Sequence, residues 1–124
     1  MKLSRKSDYA LRALFTLVES RGQGPLSIRE IAERNDIPRR FLEQIMLDLK
    51  GRGWVLSIPG RDGGFELAKD PGDITLGQVV YVDRSNKIEY SLQSHRLKAL
   101  SDRFGGALCM IETNGNEAFI EQCV

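Results

Sequence analysis

The stretch from Ser27 to Leu67 is punctuated so closely that few folds can accommodate it. Ser27-Ile-Arg-Glu30 has the form of a capping box: a serine oxygen can accept from the Glu30 N–H while the glutamate reaches back to the serine N–H. A short helix is expected to follow, with Ile28, Ile31 and Ala32 on one face and Asn35-Asp-Ile37 breaking it. Pro38, whose missing N–H costs nothing at a first helical position, starts another. On that helix Phe41, Ile45 and Leu49 form an apolar stripe broadened by Leu42 and Met46, and it ends at Gly51 to Gly53. Trp54 to Ile58 is β-prone and Phe65-Glu-Leu67 offers a second short strand. Between them Pro59-Gly-Arg-Asp-Gly-Gly64 carries the glycines of a tight turn. Helix, short turn, helix and glycine-tipped hairpin predict a mainly α fold with a small β-hairpin wing, a winged helix-turn-helix.

The flanks extend this plan. Ser4 is a candidate N-cap, and Tyr9, Ala10, Ala13, Leu14, Leu17 and Val18 predict a first helix that dies at Gly22-Gln-Gly-Pro25. After the loop Asp70-Pro-Gly72, Thr75 caps a short fourth helix carrying Leu76, Val79, Val80 and Val82. Residues 83 to 91 are polar and weakly patterned. Leu97, Leu100, Phe104, Leu108 and Ile111 then recur every three or four residues, a seam of the kind one helix presents to another. The division expected is residues 1–82 as the winged unit and 83–124 as linker, long C-terminal dimerisation helix and tail. Gly105-Gly106 interrupts the seam, so that helix either kinks or packs closely there.

Composition narrows the function. At 124 residues, 41% hydrophobic and 28% charged, the chain suits one ordinary folded domain. No apolar run is long enough for a membrane span or signal peptide, so a cytoplasmic location without membrane contact is expected. Cys109 and Cys123 are no disulfide framework and are read as reduced thiols. An enzyme is not expected: one histidine, no phosphate loop and no metal-ligand spacing leave nothing from which to assemble a catalytic site. GRDGG lies between strands rather than opening a helix, so it is no dinucleotide fingerprint.

The net charge is only +1, but its distribution is uneven. Residues 1–70 hold 13 Lys+Arg against 10 Asp+Glu, and residues 71–124 hold 5 against 7. Two of those cations, Arg39 and Arg40, stand in the first turn of the second helix of the pair, where positive charge opposes the helix dipole. A bound polyanion reverses that balance. In this geometry the helix start meets the major groove, so Arg39 and Arg40 are candidate DNA contacts, with Glu43 and Gln44 as further base readers. Arg61 at the hairpin tip suits a narrow minor groove. Each of these side chains could equally decorate a solvated surface; their combination favours double-stranded DNA as partner. A winged-helix module working through protein contacts, without DNA, is the alternative.

MKLSRKSDYALRAL, the run SIREIAERNDIPRRFLEQIMLDLKGRGWVLSIPGRDGGFELAKDPGDITLGQVV and the segment HRLKALSDRFGGAL resemble the Rrf-two family of bacterial winged-helix transcription regulators. The resemblance implies a homodimer on an imperfectly two-fold promoter site, and a repressor is the role expected of this chain. It also implies DNA contacts at Arg39, Arg40, Glu43, Gln44 and Arg61, and dimer contacts along Leu97, Leu100, Phe104, Leu108 and Ile111. Many members of the family hold an iron–sulfur cluster with three cysteines in a loop before the dimer helix. Here residues 82–95 read VDRSNKIEYSLQSH and contain no cysteine. No cofactor is therefore expected, and an atypical cluster using Asp8, His95, Cys109 and Cys123 is the alternative. The signal would then be a small molecule, a regulatory protein or thiol oxidation.

Overall fold

The computed structural model describes residues 3–85 and 93–99, which contain α1 (Arg5–Glu19), α2 (Ile28–Asn35), α3 (Arg39–Gly51), β1 (Val55–Ile58), β2 (Gly64–Leu67) and α4 (Leu76–Val80). Ser4 caps α1 as expected, its side chain accepting from the Ser7 N–H. α1 is buried more fully than its predicted stripe, for Ser7, Leu11, Phe15 and Thr16 are covered as well as Ala10, Ala13, Leu14 and Leu17. It packs against α2, α3, α4 and β2, and a helix enclosed on several sides needs apolar or internally bonded residues all round. Ser7 meets that need by donating to the Val80 carbonyl at 2.6 Å, which also ties α1 to α4.

The second buried polar link ties the end of α2 to α1. Asn35, at the end of α2, donates to Thr16 Oγ1 and to the Ile31 carbonyl, both at 2.9 Å, so the turn after α2 is held to α1. Asp36 follows in the left-handed region (φ 52°), where aspartate is one of the few residues tolerated without a glycine. Its N–H returns to the Ala32 carbonyl.

β1 and β2 pair antiparallel in the register Val55 with Leu67 through Ile58 with Gly64. Leu26 adds one more bridge, exchanging both backbone bonds with Phe65 at 2.9 and 2.7 Å. That bridge explains Gly64: a Cβ there would stand 2.2 Å from the Leu26 carbonyl oxygen. The hairpin base is anchored to α3 by the Trp54 N–H on the Leu49 carbonyl at 3.1 Å, and Trp54 is buried.

Three sequence expectations change. Pro38 is not the first helical residue but the cap of α3, with ψ at 125°, and helical geometry begins at Arg39. Phe41 does not anchor α3 in the core: it lies a quarter-turn from the centre of the stripe formed by Leu42, Ile45, Met46 and Leu49, and is 37% exposed. It meets instead the edge of the Tyr9 ring at 5.4 Å. Only the serine half of the box at Ser27 forms, because the Glu30 carboxylate pairs with Arg34. A complete box closes at Thr75, where Gln78 donates its backbone N–H to Thr75 Oγ1 and accepts the Thr75 N–H.

The folded unit also extends past residue 82. Residues 93–97 return to α4: the Leu76 N–H bonds the His95 carbonyl at 2.6 Å, the Leu97 N–H bonds the Ile74 carbonyl at 2.9 Å, and Leu97 is fully buried in the same core. Gln93 lies against Gly77 so closely that a Cβ there would come 2.8 Å from its carbonyl oxygen.

Candidate nucleic-acid interface

The candidate interface lies on the side of α3 turned away from the core. Leu42, Ile45, Met46 and Leu49 are buried beneath it, and at 100° per residue Arg40, Gln44 and Leu47 fall on the opposite side, with Arg39 and Glu43 beside them. All five are exposed. The four residues of α3 expected to read DNA are therefore all exposed, Arg40 and Gln44 on the outward side and Glu43 and Arg39 successively nearer the edge of the core stripe, while Arg61 stands exposed on a separate element, the hairpin tip.

The start of α3 differs from those of α1, α2 and α4. Ser4, Ser27 and Thr75 each place a side-chain oxygen on a backbone N–H of their helix, whereas Pro38 offers none. The first backbone bond of α3 runs from the Leu42 N–H to the Pro38 carbonyl, and among the described residues no side-chain cap covers the N–H groups ahead of it. Uncapped N–H groups and the positive end of the helix dipole suit a phosphate. Two cations in the same turn add to that field, at a cost of some tenths of a kcal/mol to the isolated helix.

The two arginines are not equivalent. Arg39 Nε lies 3.6 Å from Glu43 Oε1, an exposed pair with the cation on the N-terminal side, the less favourable order on a helix. Arg40 and Arg61 make no ion pair among the described residues and present whole charges to a partner. The i, i+4 spacing of Arg39 and Glu43, which Arg40 and Gln44 do not repeat as an ion pair, is the sequence signal for this difference.

Behind the strip, the far end of α3 is pinned to α1. Asp48 pairs with Lys6 at 3.2 Å and with Arg52 at 3.0 Å. Partial burial raises its carboxyl pKa, but the hydrogen bonds and charges of Lys6 and Arg52 outweigh that and hold it below the ordinary carboxylate value. Arg52 in turn lies 5.5 Å over the Trp54 ring at the hairpin base. Sequence reading missed this brace, although Asp48 and Arg52 have the i, i+4 spacing that could have shown half of it.

Of the two possible cluster ligands in the described region, Asp8 has its carboxylate taken up by a cation. Both carboxylate oxygens of Asp8 accept from Arg12, at 3.1 and 3.2 Å, and Arg12 also reaches the Asn35 carbonyl at 3.4 Å. The His95 backbone forms the strap on α4. Among the described residues no group of three His, Cys, Asp or Glu could hold a metal ion, and no helix is long and apolar enough to cross a membrane. Cys109 and Cys123 lie outside the described residues, as do Leu100, Phe104, Leu108 and Ile111 of the expected seam. Leu97, its first member, is occupied by the core of its own chain.

A helix pair braced by α1, an uncapped second helix and an arginine-tipped hairpin define a winged helix-turn-helix protein. Over residues 3–113 the chain matches the Rrf2 family, described as an iron-dependent transcriptional regulator, and it belongs to that family. An rrf2-like HTH-type regulator of Rhodobacter capsulatus is 47% identical over 81 residues, covering 63% of this chain and 54% of that protein. The HTH-type transcriptional regulator CymR of Bacillus subtilis is 38% identical over 82 residues, covering 66% and 59%. The solved structure of T. potens IscR superposes with a TM-score of 0.70 at 32% identity, over 82% of this chain and 88% of that one. The chain thus spans little more than half the length of the curated relatives it matches. The family's description carries iron; among the described residues no group of three possible ligands comes together, and the Asp8 carboxylate is taken up by Arg12.

Proposed function

We propose that this chain is a sequence-specific, DNA-binding transcriptional regulator, a repressor acting as a homodimer on a pseudo-palindromic promoter site in the cytoplasm. The observation that carries this reading is the start of α3, where uncapped N–H groups and the unpaired charge of Arg40 face outward together. Arg39, Arg40 and the backbone meet phosphates or guanine edges, Glu43 and Gln44 read cytosine or adenine, and Arg61 enters the neighbouring minor groove. Dimerisation places two such strips on successive turns of the duplex, with Leu100, Phe104, Leu108 and Ile111 as the contact seam.

The test is fluorescence anisotropy of the wild type and Arg40→Ala on duplexes selected from a random pool. Loss of a bidentate base contact lowers affinity by about 1–3 kcal/mol, whereas loss of a phosphate contact reduces the salt slope by about one. Equal affinity and equal slope in both proteins would refute the assignment. We further propose that regulation proceeds without a resident iron–sulfur cluster, through a small molecule, a protein or a thiol. Stoichiometric iron and sulfide in protein purified without oxygen would contradict this.

A further inference from the structure

The outward strip of α3 holds one residue that neither charge nor hydrogen bonding explains. Leu47 is 66% exposed, the most exposed large hydrophobic side chain among the described residues. A solitary surface leucine is ordinary, and it is the position of this one that gives it meaning. It stands one turn beyond Glu43 and Gln44 and two turns beyond Arg40, on the same side of the helix. No other apolar side chain of α3 joins it there, since Leu42, Ile45, Met46 and Leu49 face the core and Phe41 leans on Tyr9. Its helical neighbours are Glu43, Gln44, Lys50 and Gly51, polar or small, so it does not form an apolar face broad enough to dock a second protein.

We propose that Leu47 is a specificity-determining residue that reads the C5-methyl group of thymine in the major groove. This rests on the DNA-binding function proposed above. Among the base edges of the major groove only thymine presents a methyl group. Seven residues of helix advance about 10.5 Å, the rise of about three base pairs, so Leu47 reads a pair up to three steps from the one met by Arg40. Charged and amide residues near the helix start and an aliphatic residue in its third turn thereby divide the half-site into a hydrogen-bonded part and an apolar part. Burying Leu47 against the methyl removes apolar surface of both partners from water, which a cytosine at that place does not allow.

The experiment uses the full chain and duplexes selected from a random pool by the wild type. Each thymine of the selected site is replaced in turn by deoxyuridine, which lacks only the methyl, and affinity is measured for the wild type and for Leu47→Ser. The wild type is expected to lose about four-fold at one thymine per half-site, the equivalent of about 0.8 kcal/mol. Leu47→Ser should bind the thymine and deoxyuridine duplexes equally at that place, while keeping the thermal stability and salt slope of the wild type. Sensitivity to deoxyuridine that is the same in both proteins at every position overturns the proposal. So does a Leu47→Ser protein whose oligomeric state changes while its base preference does not, which would make the leucine a protein contact. If folded wild-type chain selects no sequence at all, it is the DNA-binding reading itself that fails, and the two failures are told apart by that first step.

Discussion

The two helices of the pair begin in opposite ways. α2 starts under Ser27, whose hydroxyl covers the Glu30 N–H, and carries an acidic residue in its first turn. α3 starts under Pro38 with no side-chain cap, no acid and two arginines. Every local rule of helix stability favours the first arrangement. The difference is that α2 is finished by its own chain and the start of α3 is not. Local consistency is what scaffold requires, and its breach at an exposed helix start is what the proposed DNA contact explains.

Substitutions can separate the two roles. The largest effect is expected on the α2 side, from Gly64→Ala. Its Cβ would overlap the backbone of Leu26, the residue just before the Ser27 cap, at 2.2 Å, and Gly64 sits at φ +150°. Breaking the Leu26–Phe65 bridge should cost about 3 kcal/mol or more, read as a lower midpoint in thermal or urea denaturation. A stability within about 0.5 kcal/mol of wild type would mean that hairpin and α2 are not coupled as described.

Ser27→Ala should destabilise the fold by about 1 kcal/mol through the lost cap while leaving DNA affinity per folded molecule unchanged. A large loss of affinity without loss of stability would place Ser27 in the interface and blur the contrast.

The smallest effect belongs to the other end of α3, which is scaffold again. Asp48 has a carboxyl pKa below its unfolded value because Lys6 and Arg52 hold the charged form. Its contribution is therefore complete above the unfolded pKa near 3.8 and is lost as pH falls through the lower folded value. Since both partners are about a third exposed, less than about 1 kcal/mol is at stake. Lys6→Ala should reduce stability at neutral pH and flatten its decline between pH 5 and pH 2, on the order of the window for such carboxylates. An unchanged acid titration in Lys6→Ala would remove the brace from the account.

The fold was legible where local chemistry decides it. Ser4, Ser27, Thr75, the Gly51–Gly53 stop and the glycine turn all act over four residues or fewer, and the elements follow them closely. What escaped was set by tertiary neighbours. The Leu26 bridge and the Ser7–Val80 and Thr16–Asn35 bonds join distant parts of the chain, and the return of residues 93–97 to α4 does so with only Leu97 as an apolar signal. Phe41 was misplaced because a stripe drawn at spacings of four drifts off the face that α1 actually covers. At the candidate site, the i, i+4 spacing of Arg39 and Glu43 held the signal for their pairing, whereas the Lys6–Asp48 contact joins two helices and had no local signal.

The most direct test of the central claim measures two quantities on one variant, the Arg39→Ala, Arg40→Ala double substitution. If the start of α3 is kept open for a polyanion, removing both cations leaves the unfolding free energy within about 0.5 kcal/mol of wild type, because a relieved dipole offsets the lost Arg39–Glu43 pair. Affinity for the selected duplex should meanwhile fall by about 2–5 kcal/mol with a shallower salt slope. A variant that is clearly destabilised yet binds DNA as the wild type does would show that the arginines serve the fold, and would contradict the account.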